Sequence, residues 1–339
     1  MKSTSAAAEA DLQGSSQLKE LLRFAAGRTF EPIVRRAYRI EGGTAHRWLR
    51  RIGQHYLGLK ASCLPRFLVL LLFKISYAAM HSFARHSTSS LKSIGEHPIG
   101  FDDLRVECFA TDANTASVYV FGVYDGLGDL EVLRRYVSPH SVALDIGANV
   151  GIYTLALARC VGPNGLVFSY EPCSMLRARL LRNIEINGAR NVVLRTSAVG
   201  SRGGMVGFAD LADATNIGLS HVDESNQNKV AVTTLDHESL GFGENRTSFI
   251  KIDTEGYELE VLRGARALLE KHRPTLLVES SLGRLHEILA LLPYAATVQE
   301  VTAGFLSRTL HPVSVSSDRD EHSRSTKNDL RNFLIAPQA

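Results

Sequence analysis

The stretch Val142-Ala-Leu-Asp-Ile-Gly-Ala-Asn-Val-Gly151 decides how the rest of the chain is read. Val142 to Ile146 is apolar except for Asp145, and a short apolar run closed by a glycine bend reads as a buried strand. Ile152–Cys160, which follows directly, reads as a helix. Strand, glycine bend and helix in that order form the unit of a parallel sheet covered on both faces. In open sheets of this type ligands collect at the carboxyl ends of the strands, where the strand order reverses. The acid and the glycines stand at such an end.

Working outward, the same alternation repeats. Leu166–Tyr170 reads as a strand and Met175–Asn187 as a helix with Leu176, Leu180, Leu181 and Ile184 on one face, stopped by Gly188. Val192–Thr196, Phe249–Ile252 and Thr275–Val278 read as strands. Glu255–Lys271 reads as one helix with Leu259, Leu262 and Leu269 inward. Helix Leu282–Leu291, strand Ala296–Val301 and a last strand near Asn332–Ile335 close the sheet, with the polar stretch Ser316–Asn328 as an exposed loop. Upstream, Leu104–Ala110 and Ala116–Tyr124 read as strands and Leu130–Val137 as a helix. The fold class expected is α/β, a doubly wound, mostly parallel sheet over residues 101–339.

Residues 1–100 differ in composition. They carry fifteen lysines and arginines against six acids, whereas the whole chain is only +3. Arg35, Arg36, Arg39, Arg47, Arg50 and Arg51 interleave with apolar positions such as Ile33, Trp48 and Leu57. The segment reads as a helical, basic N-terminal extension, with Met1–Ser16 disordered. It is either a solvated appendage or a peripheral contact for an anionic membrane surface. The longest apolar run, Phe67–Phe73, falls short of the ~20 residues a bilayer span needs. Residues 1–20 lack the apolar core of a secretory signal. Cys63, Cys108, Cys160 and Cys173 show no C-x-x-C pairing, which excludes a disulfide framework and fits a cytoplasmic setting.

The loop chemistry narrows the ligand. Dinucleotide folds use G-x-G-x-x-G so that a pyrophosphate can approach a helix N-terminus. Here the pattern is D-x-G-x-N-x-G, built from Asp145, Gly147, Asn149 and Gly151, with Ala148 between. A carboxylate at that point repels a diphosphate and attracts an ammonium group. S-adenosylmethionine offers an ammonium and has no phosphate. Glu171, at the end of the next strand, is placed to accept ribose hydroxyls, or else caps the helix after Pro172. Ser197 and Ala198, after the third strand, fall beside the adenine by position alone.

With these residues on the page, the chain resembles the FkbM family of methyltransferases, a branch of the class I Rossmann-like fold, from about Val118 to Glu279. Four segments carry the resemblance: the Asp145–Gly151 loop; Tyr170-Glu-Pro172 with Asn183 and Asn187; Thr234-Leu-Asp236; and Ile250-Lys-Ile-Asp-Thr-Glu-Gly256 followed by Leu262, Gly264 and Ala265. The resemblance implies methyl transfer, usually to oxygen, on varied small-molecule, glycan and polyketide acceptors. It does not cover residues 1–100.

For such chemistry the candidate catalytic residues are Glu255 as general base, Asp253 to place the methionine moiety or the acceptor, and Lys251 to hold both carboxylates in register. Glu255 also reads as a first-turn acid facing a helix dipole. His221 and His237 are alternative bases. Asp236, Asp253 and Glu255 could together bind magnesium, but no dedicated ligand cluster is evident and no metal is expected. Two rival functions remain: a NAD-dependent oxidoreductase, and a catalytically silent module docking on a membrane or partner. No nucleic-acid partner is expected, because Asp253-Thr-Glu255 stands where base-modifying enzymes carry D/N-P-P-Y/F.

Overall fold

The computed structural model describes residues 45, 47–51, 93–109, 112–121, 124, 127–210, 220–303, 308–313 and 330–338. The readings of Met1–Ser16, Phe67–Phe73, most of the basic extension and Ser316–Asn328 lie outside these residues. Among the described residues no helix is long and apolar enough to cross a membrane. The chain divides into two compact units, residues 1–100 with 107–125, and 101–106 with 126–339.

In the first unit the described elements include strand β1 (Ser93–Pro98) and helix α1 (Ala113–Phe121). Helix α1 replaces the strand expected over Ala116–Tyr124. Its Thr115, Ala116, Ser117, Val118, Tyr119 and Val120 are all buried. A segment buried all round shows neither helical nor strand periodicity, so β-branched content misleads. The signal that favours helix is Asp112, whose side chain accepts from Thr115 Oγ1 at 2.8 Å while its carbonyl accepts the Ala116 N–H at 2.8 Å.

Strand β2 (Arg105–Phe109) runs from the second unit into the first. Within the second unit the elements are α2 (Leu127–Tyr136), β3 (Val142–Ile146), α3 (Ile152–Val161), β4 (Leu166–Tyr170), α4 (Ser174–Ile186) and β5 (Val192–Arg195). Then come β6 (Ala198–Val199), β7 (Gly204–Ala209), β8 (His221–Val222), β9 (Lys229–Thr233), α5 (Leu235–Glu238) and β10 (Thr247–Ile252). The last are α6 (Glu258–Arg263), α7 (Arg266–His272), β11 (Thr275–Ser281), α8 (Leu285–Ala290), β12 (Ala296–Ala303), β13 (Arg308–Pro312) and β14 (Leu330–Pro337).

An eight-stranded sheet has the order β13-β12-β14-β11-β10-β3-β4-β5. Strands β5, β4, β3, β10 and β11 are parallel, and β14, β12 and β13 pair antiparallel at the far side. The chain winds from β3 outward to β5, then returns to β10 on the opposite side of β3. The order therefore reverses at β3/β10, and that is where the Asp145 loop emerges. Every residue of β3 and β10 is buried, as a strand covered on both faces requires. One core face joins Leu144, Phe168, Ile250 and Val278 to Leu262 and Leu269 of α6 and α7.

Three local differences have simple causes. The helix expected over Glu255–Lys271 is two short ones, divided at Gly264-Ala265, although Leu259, Leu262 and Leu269 do point inward. The expected Leu282–Leu291 helix opens with a single 3-10 turn, Leu282–Arg284. A second sheet, β6-β9-β7-β8, was not foreseen, because its strands are short and half-exposed and lack a clean alternation.

Gly151 shows why the bend needs glycine at its end. Its φ is +90°, and a Cβ there would stand 2.0 Å from Leu180 Cδ1 of α4. The residue is demanded by the chain's own packing. Gly151→Ala is expected to destabilise the protein by about 2 kcal/mol, read from urea unfolding midpoints; an unchanged midpoint would show that Leu180 gives way freely.

Candidate active site

The site is organised by strand register. In the β3/β10 pair Asp145 lies directly opposite Lys251. Asp145 is fully buried and Lys251 is 4% exposed. Thr154, one turn into α3, donates to Asp145 Oδ2 at 2.6 Å and shares a 2.9 Å hydrogen bond with Ser169. Asp145 Oδ1 has no hydrogen-bond partner among the described residues, and Lys251 Nζ stands 4.0 Å from it. Burial pushes the Asp145 carboxyl up from its ordinary pKa, against the pull of Lys251 and Thr154.

Lys251 divides its charge between two acids. Its Nζ donates to Asp253 Oδ2 at 2.9 Å and lies 4.4 Å from the ring centroid of Tyr153. Burial works against the charged lysine, yet Asp253 and Asp145 outweigh it and hold its pKa above the ordinary value. Burial likewise opposes the Asp253 charge, but Lys251 and Glu279 keep that carboxyl below its usual range. Asp253 is also placed by its backbone, whose N–H donates to Ile146 O at 3.0 Å.

The bend itself is closed on the chain's own groups. The N–H groups of Gly147 and Ala148 both donate to Tyr170 O at 3.0 Å, and that of Gly151 to Ala148 O at 2.9 Å. The Asn149 N–H donates to Glu171 Oε2 at 2.8 Å, and the Val150 N–H to Asn149 Oδ1 at 2.7 Å. No backbone N–H of residues 147–151 is left for a phosphate. Gly147, at φ +79°, passes so close to Asp253 that a Cβ would stand 1.8 Å from its carbonyl oxygen. The backbone N–H groups of residues 147–151 are thus engaged within the chain, and the carboxylate oxygen beside them, Asp145 Oδ1, is buried with no hydrogen-bond partner among the described residues, an arrangement that favours an ammonium over a diphosphate.

Glu171 serves the loop as well as facing it. Its Oε1 accepts from the Cys173 N–H at 2.9 Å while Oε2 holds Asn149. Each carboxylate oxygen keeps a second lone pair for a hydroxyl. Burial raises its pKa to about 7, against the pull of those two backbone N–H groups. Ala198 is buried in β6, opposite Val232 of β9, and Ser197 stands half-buried in the turn before it.

Glu255 does not open a helix. The helix begins at Glu258, and Glu255 sits in a left-handed conformation at φ +54° just before Gly256. The helix-dipole reading of this acid is therefore set aside. Left-handed geometry in a residue that is not glycine costs of order 1–3 kcal/mol and gathers at functional loops. The acid that staples this loop is Glu258, buried at 2% exposure, whose Oε1 accepts from Gly256 N at 2.8 Å and Thr254 Oγ1 at 3.0 Å. Burial, with Asp253 and Glu258 nearby, raises the Glu255 carboxyl to about 7, and His221 and Lys251 pull it down.

Of the other residues singled out in the sequence, His221 lies on β8, close enough to act on Glu255, whereas His237 is exposed on α5. Asp236 belongs elsewhere. Its carboxylate accepts the Ala267 and Leu268 N–H groups at 3.1 and 2.9 Å, capping α7, and its N–H donates to Gly264 O at 2.9 Å. The Thr234-Leu-Asp236 element is thus a clamp joining β9 to the Gly264-Ala265 break. The acid that sequence reasoning missed is Glu279 on β11. Carboxylate oxygens of Asp253, Glu255 and Glu279 lie within 4.8 Å of one another.

Lys251→Met leaves Asp145 and Asp253 buried without their cation. The expected loss of stability is about 3 kcal/mol at neutral pH. It shrinks as the pH is lowered and the two carboxylates take up protons. Chemical denaturation at pH 5 and pH 8 checks both points, and an equal loss at the two pH values would contradict the assignment of the charges.

Comparison with known proteins bears on this geometry. Residues 145–299 match the methyltransferase FkbM domain. No curated protein matches the chain. A solved methyltransferase FkbM of Methylobacillus flagellatus KT aligns at 15% identity over 84% of this chain and 58% of its own length, with a TM-score of 0.39. The chain thus spans little more than half of that protein. A SAM-dependent O-methyltransferase of Thermotoga maritima aligns at 15% identity over 64% of this chain and 67% of its own, TM-score 0.35. A protein of Streptococcus mutans solved in complex with SAH aligns at 10% identity over 62% and 96%, TM-score 0.35. These likenesses are too loose to assign residues. It is the methyltransferase FkbM domain, over residues 145–299, that this chain matches, and the match points to S-adenosylmethionine as the cofactor.

Proposed function

We propose that the protein methylates a hydroxyl group of a saccharide, a glycolipid or another small-molecule acceptor. The observation that carries the reading is the buried, unpartnered Asp145 Oδ1 at the end of β3, beside a bend whose amides are all engaged. That oxygen suits the ammonium of the cofactor's methionine moiety. Gly147, Ala148, Asn149 and Gly151 shape the bend against it, Glu171 takes the ribose hydroxyls, and Ser197 with Ala198 flanks the adenine. Asp253 faces the methionine moiety or the acceptor.

S-adenosylmethionine supplies a methyl group already activated by its sulfonium. The protein's task is to align the acceptor oxygen in line with that carbon and to remove a proton. Glu255, raised to about 7, is matched to this work near neutrality. It takes the hydroxyl proton as the O–C bond forms and the C–S bond breaks. Lys251 keeps Asp253 ionised, so the proton goes to Glu255. The basic residues of 1–100 would bring the domain, proposed to span 101–339, to an anionic surface where a lipid-linked acceptor resides.

Asp145→Asn is expected to weaken S-adenosylmethionine about tenfold or more, measured by titration calorimetry with NAD as the control ligand; tight NAD binding would favour the oxidoreductase instead. Glu255→Gln should spare cofactor affinity and lower turnover about 100-fold on a panel of saccharide and lipid acceptors. The wild-type rate should climb as the pH passes about 7, where Glu255 loses its proton, and the variant should lack that limb. A catalytically silent module would show cofactor binding with no transfer to any acceptor.

A further inference from the structure

Lys251 sits closer to one of its two acids than to the other. Its Nζ is 2.9 Å from Asp253 Oδ2 but 4.0 Å from Asp145 Oδ1, and the second separation is beyond hydrogen-bond reach. Asp145 Oδ1 is buried and has no hydrogen-bond partner among the described residues. The bond to Asp253 uses one of the three donors of the ammonium. The others would ordinarily close on the neighbouring oxygen, because leaving a buried acceptor unpaired is costly. A further attraction holds the ammonium back.

The ring of Tyr153 supplies it. Tyr153 is the second residue of α3 and is buried, and its ring centroid lies 4.4 Å from Lys251 Nζ. The face of a phenol ring attracts a cation, and more strongly where both are withdrawn from water. The first turn of α3 therefore fixes both halves of the pair. Thr154 holds Asp145 Oδ2 at 2.6 Å, and Tyr153 holds the ammonium. The flexible four-carbon stem of the lysine would let Nζ cross to Asp145 if the ring were absent.

We propose that Tyr153 is a positioning residue of this site: its ring keeps the Lys251 ammonium on the Asp253 side, so that Asp145 Oδ1 stays open for the ammonium group of a ligand. The ligand half rests on the cofactor reading; the hold of the ring on Lys251 does not. Without the ring, Lys251 and Asp145 close into an internal ion pair. A ligand then binds only the fraction of molecules in which that pair is open.

The test compares the full chain with Tyr153→Leu and Tyr153→Phe by calorimetry. The probes are S-adenosylhomocysteine and 5′-methylthioadenosine, the same thioether nucleoside without the amino-acid end. Tyr153→Leu is expected to weaken S-adenosylhomocysteine about tenfold or more and to leave 5′-methylthioadenosine unchanged. Tyr153→Phe keeps the ring and should restore the affinity. NMR of lysine labelled with 13C at Cε gives a second readout, the Lys251 signal being the one absent from Lys251→Arg. Its protons should be shifted upfield by the ring in the wild type and in Tyr153→Phe, and not in Tyr153→Leu. The proposal is overturned by an equal loss of both probes, by equal losses in the two variants, or by full S-adenosylhomocysteine affinity in Tyr153→Leu. An unshifted Lys251 signal in the wild type overturns it too. If the wild type does not bind S-adenosylhomocysteine, the cofactor reading falls and the ligand half with it, while the Lys251 shift still decides whether the ring holds the ammonium.

Discussion

One lysine between two acids, locked by strand register, is the constraint on which the site depends. Asp145 and Lys251 face each other across β3 and β10, both buried from solvent. Removing such charges from solvent costs several kcal/mol per ion and is tolerated only when partners are in place. Thr154, Ser169 and Tyr153 are those partners on one side, and Asp253 on the other. Because register fixes the pair, a slip of one residue between the strands would turn Lys251 to the opposite face of the sheet. The chemistry and the pairing of the two central strands therefore specify each other.

The same economy runs through the segments that mark the family. Asn183, in α4, donates to Val150 O at 2.8 Å and steadies the bend from behind. Asn187 exchanges two hydrogen bonds with the backbone of Arg105. Asp236 caps α7, and Leu235 beside it is fully buried. Much of what a reader of the sequence would credit to ligand binding is spent on holding the framework. What that framework leaves unengaged is one buried oxygen of Asp145, and beside it stands the Asp253–Glu255–Glu279 cluster.

The parallel half of the sheet was legible because β3 and β4 are continuous apolar runs whose limits the turn residues mark, and both begin and end where the sequence places them. Helix α1 was not, since a segment buried on every side carries no period to read. Glu279 escaped notice for a different reason. Nothing in its own neighbourhood, Leu277-Val-Glu-Ser280, separates it from any strand-end acid; its meaning comes from the register of β11 against β10, a long-range fact. The position of Glu255 was legible, but its left-handed backbone was not, because it arises from the Glu258 staple three residues later.

The closed hydrogen bonding of the Gly147–Gly151 bend bears on how it would receive a ligand. A bend whose backbone N–H groups are already satisfied does not have to be assembled around an arriving molecule, nor dismantled when one departs. A ligand that settled against this bend would therefore cost it little ordering entropy.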